Sequence, residues 1–169
     1  MNIPETYDYL VRARRDLWTT LEAVPDEVLS RPLLDGERFH CVKDLVFHIA
    51  DVEDGWLHFT IIGDQQPVQQ RIPALRDVAN GPIFAGFALE TLLDYWGQVE
   101  QSTLAYLAAL SEAELRRVVT DEGQRFTVDG LLWHVMLHEI RHTAQIAALL
   151  RTQGIKPPSL DLLFYLPPA

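Results

Sequence analysis

Three histidines carry the chemistry of this 169-residue chain. One stands alone in Asp44-Leu45-Val46-Phe47-His48-Ile49-Ala50-Asp51, and two lie one helical turn apart in His138-Glu139-Ile140-Arg141-His142. On a helical wheel of about 100° per residue, Leu131, Val135, His142, Gln145 and Leu149 fall within about 60° of His138. Both imidazoles of the pair therefore sit mid-stripe on an inward face. Residues four apart on a helix are neighbours, so both rings can reach one ion. The same construction puts His48 among Leu45, Val52 and Phe59. Neutral imidazole is the commonest protein metal ligand, and three such ligands plus water make a catalytic type of site. Two neutral rings side by side in a core lack acceptors for their N–H groups, which favours a metal for His138 and His142. Taken alone, His48 reads better as a hydrogen-bonded core histidine.

Other residues qualify this constellation. His134 extends the row to His-x3-His-x3-His and lines the pocket or replaces His142 as the partner. Trp56 is a pocket wall or a plain core aromatic. Asp44 and Asp51 flank His48 by about one turn, either orienting its free ring nitrogen or acting as solvated, cap-like acids. Glu139 and Gln145 are the candidates for a catalytic role, against a helix-flank acid and a cross-bundle amide respectively. His40 and His58 read as surface or loop residues, and Cys41 lies two turns before His48, too far along the axis to join it. His138 to His142 also spells His-Glu-x-x-His, in which Glu139 would activate a metal-bound water as in zinc peptidases. The extended peptidase form needs Gly and His where this chain has Gln145 and Ala148, so the peptidase reading is disfavoured.

These residues need long helices to position them. Helical periodicity runs over about residues 5–23, 42–62, 87–110 and 128–153, and no segment shows convincing strand alternation. Pro4 suits a first turn, Gly63 and Gly154 are placed as stops, Ser111-x-x-Glu114 is a capping box, and Thr127 caps the last long helix. Arg12, Arg14, Arg15 and Glu22 fall off the apolar stripe of the first helix. Residues 64–86 are broken by Pro67, Pro73, Gly81 and Pro82, and a connection this long crosses a bundle or covers a site. The expected fold is all-α: a four-helix bundle with one long crossover, a single domain over residues 1–169. The tail from Ile155, Pro-rich at both ends with an apolar centre, is expected to pack on the bundle.

The net charge of −10, with no Lys/Arg cluster, argues against nucleic acid and anionic membrane surfaces as partners. No apolar run reaches the roughly 20 residues of a membrane span, and the N-terminus has no signal-peptide pattern. The single cysteine cannot form an internal disulfide, which fits a reducing cytoplasm. Trp133, Leu137, Ile140 and Ala144 form an apolar stripe for a helix-mediated interface or for packing on the third long helix.

The segment Lys43-Asp44-Leu45-Val46-Phe47-His48-Ile49-Ala50-Asp51 resembles the first metal motif of the DinB/YfiT-like metalloenzymes, and Trp133 through Ile146 resembles the second. Gly154-Ile155-Lys156-Pro157-Pro158 with Asp161 is similar to that family's ending. The resemblance implies a four-helix bundle, often dimeric. It also implies a divalent metal, zinc or nickel in many members, on three histidines that correspond to His48, His138 and His142. The family commonly reads His-Arg-Gly-Gln where this chain has His142-Thr143-Ala144-Gln145, which keeps the ligand and the glutamine and changes the packing between them. Related enzymes use thiols such as bacillithiol or mycothiol in transfer and isomerisation. The resulting expectation is a cytoplasmic, homodimeric, metal-dependent transferase that joins a low-molecular-weight thiol to a small-molecule substrate. The alternatives are a hydrolase that activates water at the same metal and a stress-related metal-binding protein without turnover.

Overall fold

Four long helices dominate the computed structural model, which describes residues 1–34, 38–64, 66–76, 78 and 84–166. Gly81, Pro82 and the closing prolines lie outside the described residues. Helix α1 (Ile3–Glu22) opens with a capping box, the Asn2 side chain accepting from Glu5 N and Glu5 returning to Asn2 N. A short α2 (Asp26–Leu29) follows. Helix α3 (Val42–Asp54) runs directly into a π-helical segment, Gly55–Ile62, ended by Gly63 at φ 78°. That left-handed conformation is cheap only for glycine. The crossover contains α4 (Val68–Arg71) and one 3₁₀ turn, Phe84–Gly86. Then come α5 (Leu89–Ala108), α6 (Glu112–Arg116), a hairpin of β1 (Val118–Asp121) and β2 (Gln124–Thr127), and α7 (Val128–Thr152). Ser111 and Thr127 cap α6 and α7 with their hydroxyls, as their positions predict.

The all-α expectation holds apart from that hairpin. Its strands pair antiparallel with Val119 opposite Phe126, and the turn puts Glu122 at φ 46° and Gly123 at φ 81°. Positive φ at both central turn residues matches the twist of a two-residue hairpin.

The π-helix also shifts the face on which residues fall. Phe59, grouped with His48 by a regular helical period, is 48% exposed, whereas His58 is buried with its Nδ1 2.7 Å from Asp54 Oδ1. His58 is thus an interior residue and not a surface one. Leu137 and Ile140 on α7 remain exposed, at 58% and 37%.

Helix α3 packs on α5 and α7, and α1 packs on α7 and α5. A polar layer divides the core into two apolar halves. Leu17, Ile49, Val99 and Ile146 belong to one half, and Leu10, Ile61, Leu107 and Met136 to the other. Between them lies Arg14, with its side chain fully buried. Its guanidinium holds Glu139 in two bonds of 3.0 and 2.7 Å, Glu100 at 2.8 Å and Glu53 at 3.4 Å. Tyr7 and Thr103 donate to Glu53, Arg15 reaches Glu100 from the surface, and the Trp96 ring covers the guanidinium at 4.8 Å. Each long helix thus contributes at least one charged member to a single ionic knot. Buried charges persist only when paired and hydrogen-bonded in this way.

The crossover is fastened to α3 at both ends. Asp44 accepts from His40 N, Cys41 N and Phe84 N, and the buried Lys43 ammonium donates to Ala85 O and Phe87 O. Asp54 accepts from Val68 N, Gln69 N and the Tyr95 hydroxyl. These carboxylates satisfy backbone donors that the irregular chain would otherwise bury unpaired.

Candidate metal centre

With α3 and α7 packed face to face, His48 meets His138 and His142. The Nε2 atoms of His48 and His138 lie 3.1 Å apart, and ring centroids within the trio are 4.3–4.9 Å apart. One nitrogen from each ring falls within 4.8 Å of the others. His142 Nδ1 donates to Gln145 Oε1 at 2.5 Å. An amide oxygen can only accept, so the Nε2 of His142 carries the free lone pair. The Phe39 ring stacks on His48 at 3.9 Å and fixes its plane. Sequence reasoning missed Phe39, which precedes α3 and has no periodic signal.

Burial pushes the His48 imidazole down to about 4 and His138 down to about 3, helped by the neighbouring rings and by the positive charge of Arg141, with Arg38 also acting on His48. Burial lowers His142 as well, against the hydrogen bond to Gln145. All three rings are therefore neutral at pH 7, the state a metal requires of its imidazole ligands. Two nitrogens bound to one tetrahedral zinc at about 2.0–2.1 Å would lie about 3.3 Å apart, close to the 3.1 Å separation of His48 and His138. The donor set fits a divalent cation. No fourth His, Cys, Asp or Glu joins the cluster among the described residues.

The remaining candidates separate clearly. Gln145 orients His142 and does not itself converge on the trio. Both oxygens of Glu139 are committed to Arg14, so the carboxylate is a member of the ionic knot and is not available as the base of a His-Glu-x-x-His site. His134 lies 5.9 Å from His138 by ring centroid and 5.6 Å from Trp56, extending the aromatic wall outward from the trio. Asp44 is a helix cap and crossover anchor, bonded to backbone and not to His48. Asp51 lines a cleft of about 600 Å³ that also contains Val52 and Trp56, the residues four and eight positions after His48. Burial in a poorly solvated wall, with Asp54 nearby and against the pull of Arg38, raises the Asp51 carboxyl to about 6.

No curated protein matches the chain. Several solved structures share its fold. A DinB-like protein from Bacillus cereus ATCC 10987 superposes with a TM-score of 0.64 at 16% identity, over 93% of this chain and 94% of the other. A conserved protein from Enterococcus faecalis gives 0.68 at 19%, over 89% and 96%. YfiT from Bacillus subtilis, described as a probable metal-dependent hydrolase with an unusual four-helix bundle topology, gives 0.66 at 20%, over 90% and 87%. At these identities the likeness establishes the fold, and it agrees with the helix order built above. The DinB family model matches residues 1–169, the span that carries both histidine motifs and the ionic knot, and the chain belongs to the DinB family.

Proposed function

We propose that the protein is a divalent-metal-dependent enzyme that transfers a low-molecular-weight thiol, of the bacillithiol type, to an electrophilic small molecule. The observation that carries this reading is the convergence of three neutral imidazoles within 4.8 Å with no fourth His, Cys, Asp or Glu joining them among the described residues. Such a set leaves room for an exchangeable ligand, as catalytic sites do, and argues against a closed sequestering site. His48, His138 and His142 would hold the metal, with zinc and nickel suited to imidazole donors. A bound divalent ion supplies Lewis acidity that lowers the pKa of a thiol or of water.

The chain's own residues supply the rest. Gln145 fixes the ring of His142, and Phe39 fixes that of His48. The field of Arg38 and Arg141, already felt by His48, favours an anionic group such as a thiolate at the trio. Trp56 and His134 shield the approach along α3. The alternative is a hydrolase in which water takes the place of the thiol. The description of YfiT, a protein of the same fold, as a probable metal-dependent hydrolase favours it. A homodimer joined through the exposed Leu137 and Ile140 would suit either reading.

Elemental analysis of the wild type beside the double variant His138→Ala, His142→Ala tests the site. Metal in the wild type alone is expected, and equal content would overturn the assignment. Conjugation of monochlorobimane and hydrolysis of a nitrophenyl ester, each with and without added thiol, separate the two chemistries. Thiol-dependent conjugation is expected; ester hydrolysis unchanged by thiol would favour the hydrolase.

A further inference from the structure

Two cations flank the imidazole trio. Arg38 lays its guanidinium on the Phe39 ring at 5.3 Å, and that ring stacks on His48 at 3.9 Å. The three groups form one column, with the cation two layers from the ligand ring. Arg141 stands on α7 between the other two ligands, three residues after His138 and one before His142. Both guanidinia act electrostatically on His48, and Arg141 acts on His138 and His142 as well. Both arginines are exposed, and His48 and His138 are only partly buried, so a solute can reach the rings and the guanidinia together. Neither arginine has an ion pair among the described residues. The helical neighbours of Arg141 at three and four residues are Leu137, His138, Ala144 and Gln145, none of them acidic. Asp51 feels the charge of Arg38 without bonding to it.

These charges work against the ion that the trio would hold. Like charge beside a cation's site weakens the cation's binding, and acids would better serve a site that only stored the ion. The three ligands are neutral, and no fourth His, Cys, Asp or Glu joins them among the described residues, so nothing in the cluster offsets a double positive charge. A divalent ion and two guanidinia together make a strongly positive spot on a chain of net charge −10. Such a spot draws in anions that the remaining acidic surface repels. One negative charge on a metal-bound atom would leave the arginines unanswered. A guanidinium pairs best with a carboxylate, whose two oxygens match its fork of N–H donors.

We infer that Arg38 and Arg141 seat a carboxylate of the molecule that binds the metal, so that the ligand of this centre is a dianion with one anionic atom on the ion and a carboxylate beside it. This rests on the metal-site reading, and it names the class of thiol that the proposed reaction takes, one bearing a carboxylate. Phe39 gains a second task, because the ring that fixes His48 also holds the Arg38 guanidinium over its outer face.

Titration of the nickel-loaded protein with 3-mercaptopropionate and with 3-mercapto-1-propanol, followed by thiolate-to-nickel absorbance, tests the seat. The carboxylate is expected to bind about tenfold more tightly, a preference that high salt weakens. The double variant Arg38→Gln, Arg141→Gln changes only exposed side chains and should keep its helical circular dichroism. It should lose the preference and hold nickel severalfold more tightly in chelator competition, because the repelling charges are gone. Equal binding of the two thiols by the wild type, a preference undiminished in the variant, or a nickel affinity that falls in the variant would overturn the inference. Calorimetry with glutarate and its monomethyl ester repeats the comparison without sulfur. A preference for glutarate that the variant loses, with no nickel–thiolate signal from either thiol, would leave the carboxylate seat standing and overturn the thiol reading instead. Protein that takes up no nickel overturns both.

Discussion

Replacing Arg14 by Met tests the ionic knot directly. The guanidinium makes four bonds of 2.7–3.4 Å to three carboxylates, all with side chains almost wholly removed from solvent. Charge-assisted bonds are worth about 1.5–3 kcal/mol each, so the gross attraction is about 6–12 kcal/mol. Desolvating the charges offsets several kcal/mol of it, which leaves about 3–5 kcal/mol lost when the central partner is removed and the acids stay buried. Against a total stability of about 5–15 kcal/mol, that loss is a third or more. The pH dependence gives the sign. Burial already raises the Glu53 carboxyl against the lowering influence of Arg14, and without the arginine the folded value of Glu53 rises further above the unfolded value of about 4.3. Stability lost to such groups is recovered as pH falls, because the folded state then takes up protons that the unfolded chain lacks. The deficit of the variant is therefore expected to be full at pH 7.5 and smaller at pH 5, read by urea denaturation followed by circular dichroism. Adding Glu53→Gln and Glu139→Gln should restore much of it. A loss under about 1 kcal/mol, or a deficit that stays constant between the two pH values, would refute the reasoning.

Two further outcomes are expected. Gln145→Leu removes the acceptor that holds His142 and should weaken metal binding about 10–100-fold in chelator competition while leaving the helical signal intact; unchanged affinity would mean that the ring needs no such support. Asp51→Asn should raise the melting temperature at pH 7.5 and hardly at pH 4. The folded pKa is raised from 3.8 to about 6, so the cost of ionisation builds up as pH rises through that range and is complete above it; the shift corresponds to about 3 kcal/mol, and partial exposure reduces it to about 1–2 kcal/mol. An equal gain at both pH values would show that the effect is not ionisation.

The bundle and the inward face of the histidines were legible because both rest on local periodicity, whereas His48 joined the pair as a third ligand only through the family resemblance. His138 and His142 announce themselves by four-residue spacing, and His48 by its place among Leu45, Ile49 and Val52. The ionic knot was not legible. Charge alone places Arg14 off the apolar stripe, yet it sits four residues after Leu10 and three before Leu17, an interior position. Its partners are 39, 86 and 125 residues away, beyond any pattern of local spacing. Glu139 was misread for the same reason, since nothing near it in sequence reveals the guanidinium that occupies it. The hairpin escaped because each strand has only four residues, although Val118-Val119-Thr120 and Phe126-Thr127 flank the Glu122-Gly123 turn. The π-helix escaped because a regular 3.6-residue period cannot represent it, which is why Phe59 and His58 exchanged places.

The paired anchors on α3 bear on how well the metal centre holds its shape. His48 stands mid-span between Asp44, which grips the far end of the crossover, and Asp54, which grips its near end. A beam clamped at both ends deflects far less at its middle than one held at a single end. The isolated histidine, lacking the helical neighbour that steadies His138 and His142 against each other, gains its stiffness from the loop.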